Sequence, residues 1–192
     1  MKKISIIVTA MALLMASLFT MNANAQFSVG VKAGAGVTNF SENADNELKS
    51  KTGLVIGALG TYQIQPKLSV QSELLYSMQG AKEGKGSYDF NYINLPITVR
   101  YNVWNNLHLH TGPQLGFLAS AKIKYMGNKE DVKDNLKGGD FAWLLGATYE
   151  LKNGFLADLR FVKGLTDISD NNSDIKNTGI QLTVGYRFGT KK

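Results

Sequence analysis

The sequence predicts an all-β fold, an eight-stranded antiparallel up-and-down transmembrane β-barrel behind an N-terminal signal peptide. Three observations carry this. Apolar and polar residues alternate with period two in runs of about ten residues. The connectors between the runs alternate between short and long. No stretch after the first 25 residues is apolar enough for a spanning helix, and the chain has no cysteine to form disulfides, thiolate metal sites or a lipid-modified N-terminus.

The first element is the export segment. Lys2 and Lys3 precede an apolar run from Ile4 to about Phe19, and Ala23-Asn24-Ala25 then places small residues around a cleavage point before Gln26. This predicts a cleaved signal peptide over 1–25 and one barrel domain over 26–192. The net charge of +6 includes Lys2 and Lys3, so the mature chain keeps an excess of only four. That excess is scattered and gives no basic stripe, which argues against nucleic acid as a partner.

The strands follow at 27–38, 53–64, 67–80, 88–101, 107–121, 140–151, 155–165 and 177–188. In the sixth, Phe141, Trp143, Leu145, Ala147, Tyr149 and Leu151 share one parity against Ala142, Leu144, Gly146, Thr148 and Glu150. In the eighth, Ile180, Leu182, Val184, Tyr186 and Phe188 oppose Gly179, Gln181, Thr183, Gly185 and Arg187. The second, fourth and sixth connectors are tight: Gln65-Pro66, residues 102–106, and Lys152-Asn153-Gly154 with its Asn-Gly turn chemistry. The other four, 39–52, 81–87, 122–139 and 166–176, are longer and polar, as expected of extracellular loops opposite periplasmic turns.

Alternation alone fits a secreted lipocalin-like ligand carrier equally well, so the direction of the greasy face needs separate arguments. Nine glycines on the polar parity (30, 34, 36, 57, 112, 116, 146, 179 and 185) suit a crowded interior. Aromatic residues gather near strand ends as two expected belts. Phe27, Tyr62, Tyr101, Trp104, Tyr149, Phe155 and Phe188 lie towards the turns, with Phe40, Tyr76, Tyr88, Phe90, Tyr125 and Phe141 towards the loops. Packing the large rings inward would overfill an eight-stranded bore. The greasy parity therefore faces lipid.

The residues also resemble a known family. Gly53-Leu54-Val55-Ile56-Gly57, the run Tyr92 to Tyr101 with Pro96 inside a strand, Gly164-Leu165-Thr166-Asp167-Ile168, and Gly185-Tyr186-Arg187-Phe188 are similar to the outer-membrane β-barrel family labelled porin-family or PorT-like. The similarity covers 26–188. It implies an eight-stranded outer-membrane barrel, and one member type is implicated in protein secretion across that membrane. A strictly C-terminal aromatic is the usual insertion mark, whereas here Gly189 to Lys192 follow Phe188.

Turned inward, the polar parity carries Lys32, Glu73, Arg100, Glu150, Asp158, Arg160 and Arg187. Four positive and three negative charges in a narrow bore must pair or stay hydrated, which predicts a salt-bridged plug rather than a selective pore. A narrow porin-like solute channel is the alternative. His108 and His110 share a parity, but no further ligands accompany them, so they read as polar lumen lining and no metal is expected. Asp170, Asn172 and Asp174 begin like a calcium loop, yet Ile175 and Gln181 stand where Gly and Glu are needed. Gly34-Ala35-Gly36 lacks the third glycine and the helix of a dinucleotide site. No nucleophile elbow or spaced carboxylate pair is present, so neither an enzyme nor a cofactor is expected.

The expected role is structural or interactive, with a secretion or assembly component among the possibilities. Expected partners are outer-membrane lipid and lipopolysaccharide, the barrel-insertion machinery during assembly, and a protein met through the long loops or periplasmic turns. The mixed-charge run 122–140, with Lys129, Glu130, Asp131, Lys133, Asp134 and Lys137, is the main loop candidate.

Overall fold

The computed structural model describes residues 26–41, 49–83, 86–125, 128–131, 138–166 and 176–188. The expected signal peptide, the Asp170/Asn172/Asp174 segment and Gly189 to Lys192 lie outside the described residues. The strands are β1 (Phe27–Ser41), β2 (Lys49–Gln65), β3 (Leu68–Glu83), β4 (Gly86–Trp104), β5 (Leu107–Tyr125), β6 (Asn128–Asp131), β7 (Gly139–Glu150), β8 (Phe155–Gly164) and β9 (Lys176–Phe188). Each barrel strand pairs antiparallel with its sequence neighbour, β5 with β7, and β1 with β9, so the sheet closes with eight strands. The short β6 folds back on the end of β5 and adds no stave.

Stagger fixes the shape of the barrel. Starting at Phe27, the pairing runs through Tyr62, Val70, Val99, Thr111, Leu145, Phe161 and Ile180, and returns to β1 at Val37, ten residues further along the strand. That stagger tilts the strands by about 40° and leaves a wall of about 8 Å radius, a bore that side chains can fill.

The parity of burial follows the alternation. Leu144 is 0% exposed and its neighbour Leu145 60%, and on β9 Thr183 is 1% exposed beside Leu182 at 58%. The outer face is apolar and the inner face holds the charges. This is the reverse of a ligand carrier and the arrangement a membrane-spanning barrel needs. Polar groups on the lipid side are tied down: Trp143 Nε1 donates to Thr111 Oγ1 at 2.9 Å, and that hydroxyl donates to the Leu144 carbonyl at 2.8 Å. Pro96 on β4 pairs with Gln114 on β5, and Pro113 lies on β5 between that pair and the next, Val99–Thr111. The β4–β5 register there skips from the first pair to the second, where proline supplies no ladder donor.

Three expectations need correction. The third connector, expected to be a long loop over 81–87, is a tight hairpin in which Glu83 pairs with Gly86. Strands β2 to β5 run to 16–19 residues, whereas β8 has 10, already enough for about 25 Å of membrane at this tilt. The loop-side wall therefore stands taller over β2–β5, and β5 and β6 take up part of the expected 122–139 loop. The third correction is Phe90. Placed in the loop-side belt by its ring, it is 5% exposed and points into the barrel, because it lies an even number of residues from the inward Arg100. The other belt residues with described side chains, from Phe27 at 36% to Trp104 at 73%, face outward; the side chains of Phe40, Tyr88 and Tyr125 lie outside the described residues.

Candidate functional site in the barrel interior

Alternation delivers every inward charge to one space, and the stagger decides which of them meet. Glu73 on β3 faces Arg160 on β8 across the bore. Arg160 Nη1 and Nη2 donate to Glu73 Oε2 and Oε1, both at 3.0 Å, in a fork matched to the carboxylate. Lys32 Nζ on β1 sits 2.8 Å from Glu73 Oε2 and donates to Asp158 Oδ1 at 3.4 Å. Arg160 Nε donates to the same Asp158 oxygen at 2.7 Å. Asp158 Oδ2 accepts from Thr148 Oγ1 at 2.7 Å and faces His110 Nε2 at 2.8 Å. Lys32, Glu73, Asp158 and Arg160 thus form a quartet of zero formal charge, with side chains at most 2% exposed.

A second cluster lies towards the periplasmic turns. Glu150 Oε2 accepts from Arg100 Nη2 at 3.3 Å, lies 3.3 Å from Arg187 Nη1, and has His108 Nε2 at 3.9 Å. Gln71 joins the clusters: its Nε2 donates to Glu73 Oε1 at 2.5 Å, while its Oε1 accepts from Thr61 Oγ1 at 3.0 Å and from Arg187 Nη2 at 3.3 Å. All seven charged positions singled out in the sequence therefore touch one network. Gln71, Thr148, Thr61 and the bond from His110 were not singled out, though each shares the parity of a charged neighbour.

Room for the quartet comes from Gly146, opposite both His110 and Arg160 in the sheet. A Cβ there would lie 2.6 Å from His110 Cε1 and 2.8 Å from Arg160 Cβ. Towards the loops the lumen changes character. Leu75, Leu144, Tyr92, Leu118 and Val162 turn inward above the charges, with Asn94 Nδ2 donating to Ser77 Oγ at 3.0 Å among them. Each carboxylate of the network is held by several donors, and among the described residues no cluster of three or more His, Cys, Asp or Glu side chains could hold a metal.

Known proteins are similar to the chain at two levels. No curated protein matches it. Among solved structures, Neisserial surface protein A aligns with a TM-score of 0.60 at 13% identity, over 83% of this chain and 97% of that one. The attachment invasion locus protein Ail of Yersinia pestis aligns at 0.56 and 17% identity, over 85% of this chain and 99% of that one. A second Ail structure, in complex with the heparin analogue sucrose octasulfate, aligns at 0.54 with the same identity and coverage. At these identities the likeness is one of fold. The profile of one family, described as outer membrane protein beta-barrel domain, matches residues 8–188. With a closed, apolar-coated eight-stranded barrel under that match, the chain belongs to the outer membrane protein beta-barrel family and resides in the outer membrane.

Proposed function

We propose that this protein is a closed, non-catalytic barrel that anchors a loop-side rim and periplasmic turns at the outer membrane for contact with lipopolysaccharide or a protein partner. The observation that carries this is the Lys32–Glu73–Arg160–Asp158 quartet, which crosses the lumen with side chains at most 2% exposed. A solute path needs hydrated charges or an open section. Here the charges hold one another, with an apolar layer stacked above them. The tall β2–β5 wall adds the complementary feature, a raised surface above the membrane for contact. On this reading the signal peptide over 1–25 directs export, and the insertion machinery receives the chain in the periplasm.

The test is conductance. Purified barrel inserted in planar bilayers is expected to show no steady single-channel steps, and Glu73→Ala or Asp158→Ala to introduce leak. Well-defined steps from the wild-type protein would replace the plug with the narrow solute channel.

A further inference from the structure

Asp140, at the loop end of β7, differs from the other inward carboxylates. It is 9% exposed, yet among the described residues no lysine, arginine or histidine lies within ion-pair distance of it, whereas Glu73, Glu150 and Asp158 each have at least two. Its partners are neutral: Thr166 Oγ1 donates to Oδ1 at 2.9 Å and Asn177 Nδ2 to Oδ2 at 3.1 Å. A carboxylate taken out of water without a positive partner is costly.

Beside it lies a cavity of about 10 Å³ lined by Asp140, Gln114, Asn177 and Gln181 among others. Gln114 Oε1, Asn177 Oδ1 and Gln181 Oε1 are buried with no hydrogen-bond partner, and the three residues are 3%, 5% and 3% exposed. Every group left unsatisfied at this wall is an acceptor. A single water brings two hydrogens, so it leaves at least one of the three amide oxygens, and the charge, unanswered. A metal ion takes oxygen acceptors and a carboxylate as ligands.

We infer that the loop-side lumen holds one hard, oxygen-seeking cation, bound by the Asp140 carboxylate and the amide oxygens of Gln114, Asn177 and Gln181. The lining offers a carboxylate and neutral amide oxygens as ligands in place of water. That disfavours Mg²⁺, which gives up its waters reluctantly, and favours Ca²⁺ or Na⁺, which accept a shell of protein oxygens. With a single carboxylate the affinity belongs to the weak extracellular class, a Kd of about 10⁻⁴–10⁻³ M for Ca²⁺. The donors come from β5, β7 and β9, so the ion ties together three strands, two of which begin at the loop side.

The experiment uses the full barrel folded in zwitterionic detergent, stripped with EDTA and held at constant ionic strength with choline chloride. CaCl₂, NaCl and MgCl₂ are titrated separately by calorimetry and by thermal unfolding. One saturable site per barrel for Ca²⁺ or Na⁺ is expected, with Mg²⁺ at least tenfold weaker and a rise in unfolding temperature that saturates with occupancy. Asp140→Asn and Gln181→Leu should each weaken binding at least tenfold, and Asp89→Asn, at a carboxylate paired with Lys51, should leave it unchanged. Heat-modifiable mobility on gels certifies that each variant is folded, and Asn177→Leu replaces any that is not. Absence of saturable binding by all three cations, or binding that survives both Asp140→Asn and Gln181→Leu, would overturn the inference and leave the cavity to water.

Discussion

Removing Glu73 is the sharpest test of what holds the interior together. Its side chain is fully buried and receives four donors, two from Arg160, one from Lys32 and one from Gln71. Glu73→Ala leaves Arg160 and Lys32 to share Asp158 and takes the quartet from zero to a formal charge of +1. Breaking a buried ion pair from one side costs about 3–5 kcal/mol, because the remaining charge keeps its desolvation penalty. The wall contributes no alternative acceptor of equal strength, so the loss should fall in that range. Glu73→Gln keeps the shape and one acceptor oxygen, and should cost less. Adding Lys32→Met to Glu73→Gln restores charge balance, with an expected coupling of about 1–3 kcal/mol. The assay is urea unfolding of the barrel refolded into phospholipid vesicles, followed by heat-modifiable mobility and by the fluorescence of the outward Trp104 and Trp143. A Glu73→Ala barrel within about 0.5 kcal/mol of wild type, the range of inert surface changes, or strict additivity in the double variant, would refute the reasoning.

Three further outcomes follow from the same structure. Leu145→Arg, on the outer face of β7, should impair insertion by about 2–4 kcal/mol if it sits near the bilayer midplane, while Gln65→Arg at a periplasmic turn should be tolerated; equal tolerance in a vesicle-folding assay would reverse the inside and outside faces. Gly146→Val should cost about 1–3 kcal/mol or more in urea unfolding by driving a side chain into His110 and Arg160, whereas Gly60→Ala, whose added Cβ meets only the Phe27 ring at 3.5 Å, should be nearly silent. N-terminal sequencing of the protein from outer membranes should begin at Gln26, and a retained Met1 would rule out cleavage after Ala25.

The barrel strands, their count and the outward greasy face were legible because lipid on one side and a packed bore on the other force strict alternation, as Leu144 beside Leu145 illustrates. The strand ends were not. Beyond the membrane the outer face meets water, so the hydrophobic pattern fades around Tyr88 and Lys122 while the backbone ladder continues. The short strand Asn128–Asp131 has little intrinsic strand preference and forms by pairing with the end of β5. Phe90 shows the opposite error, in which an aromatic ring near a strand end outweighed a parity that already pointed inward. Which charges share the lumen could be read from parity; which of them touch could not. That Glu73 meets Arg160, 87 residues away, depends on the ten-residue stagger, a property of the closed sheet and of no single segment. Asp140 escaped attention because it ends a run of mixed charges that reads as loop.

The pairing of β1 with β9 sets a condition on biogenesis. The first strand finds its second edge only when Lys176–Phe188, the last one, arrives, so both ends of the chain must be present before any edge is sealed. The interior obeys the same schedule: Lys32 reaches Asp158 across 126 residues. A chain halted before β8 would present Lys32 and Glu73 to the membrane without Arg160 and Asp158, on a sheet with open hydrogen-bonding edges that hydrocarbon cannot satisfy. Partial insertion is therefore penalised by charge and by backbone together. Delivery must keep the whole polypeptide soluble and unfolded until the final strand is at hand, which places quality control at the C-terminal segment: truncations there should yield degraded chain rather than a smaller barrel.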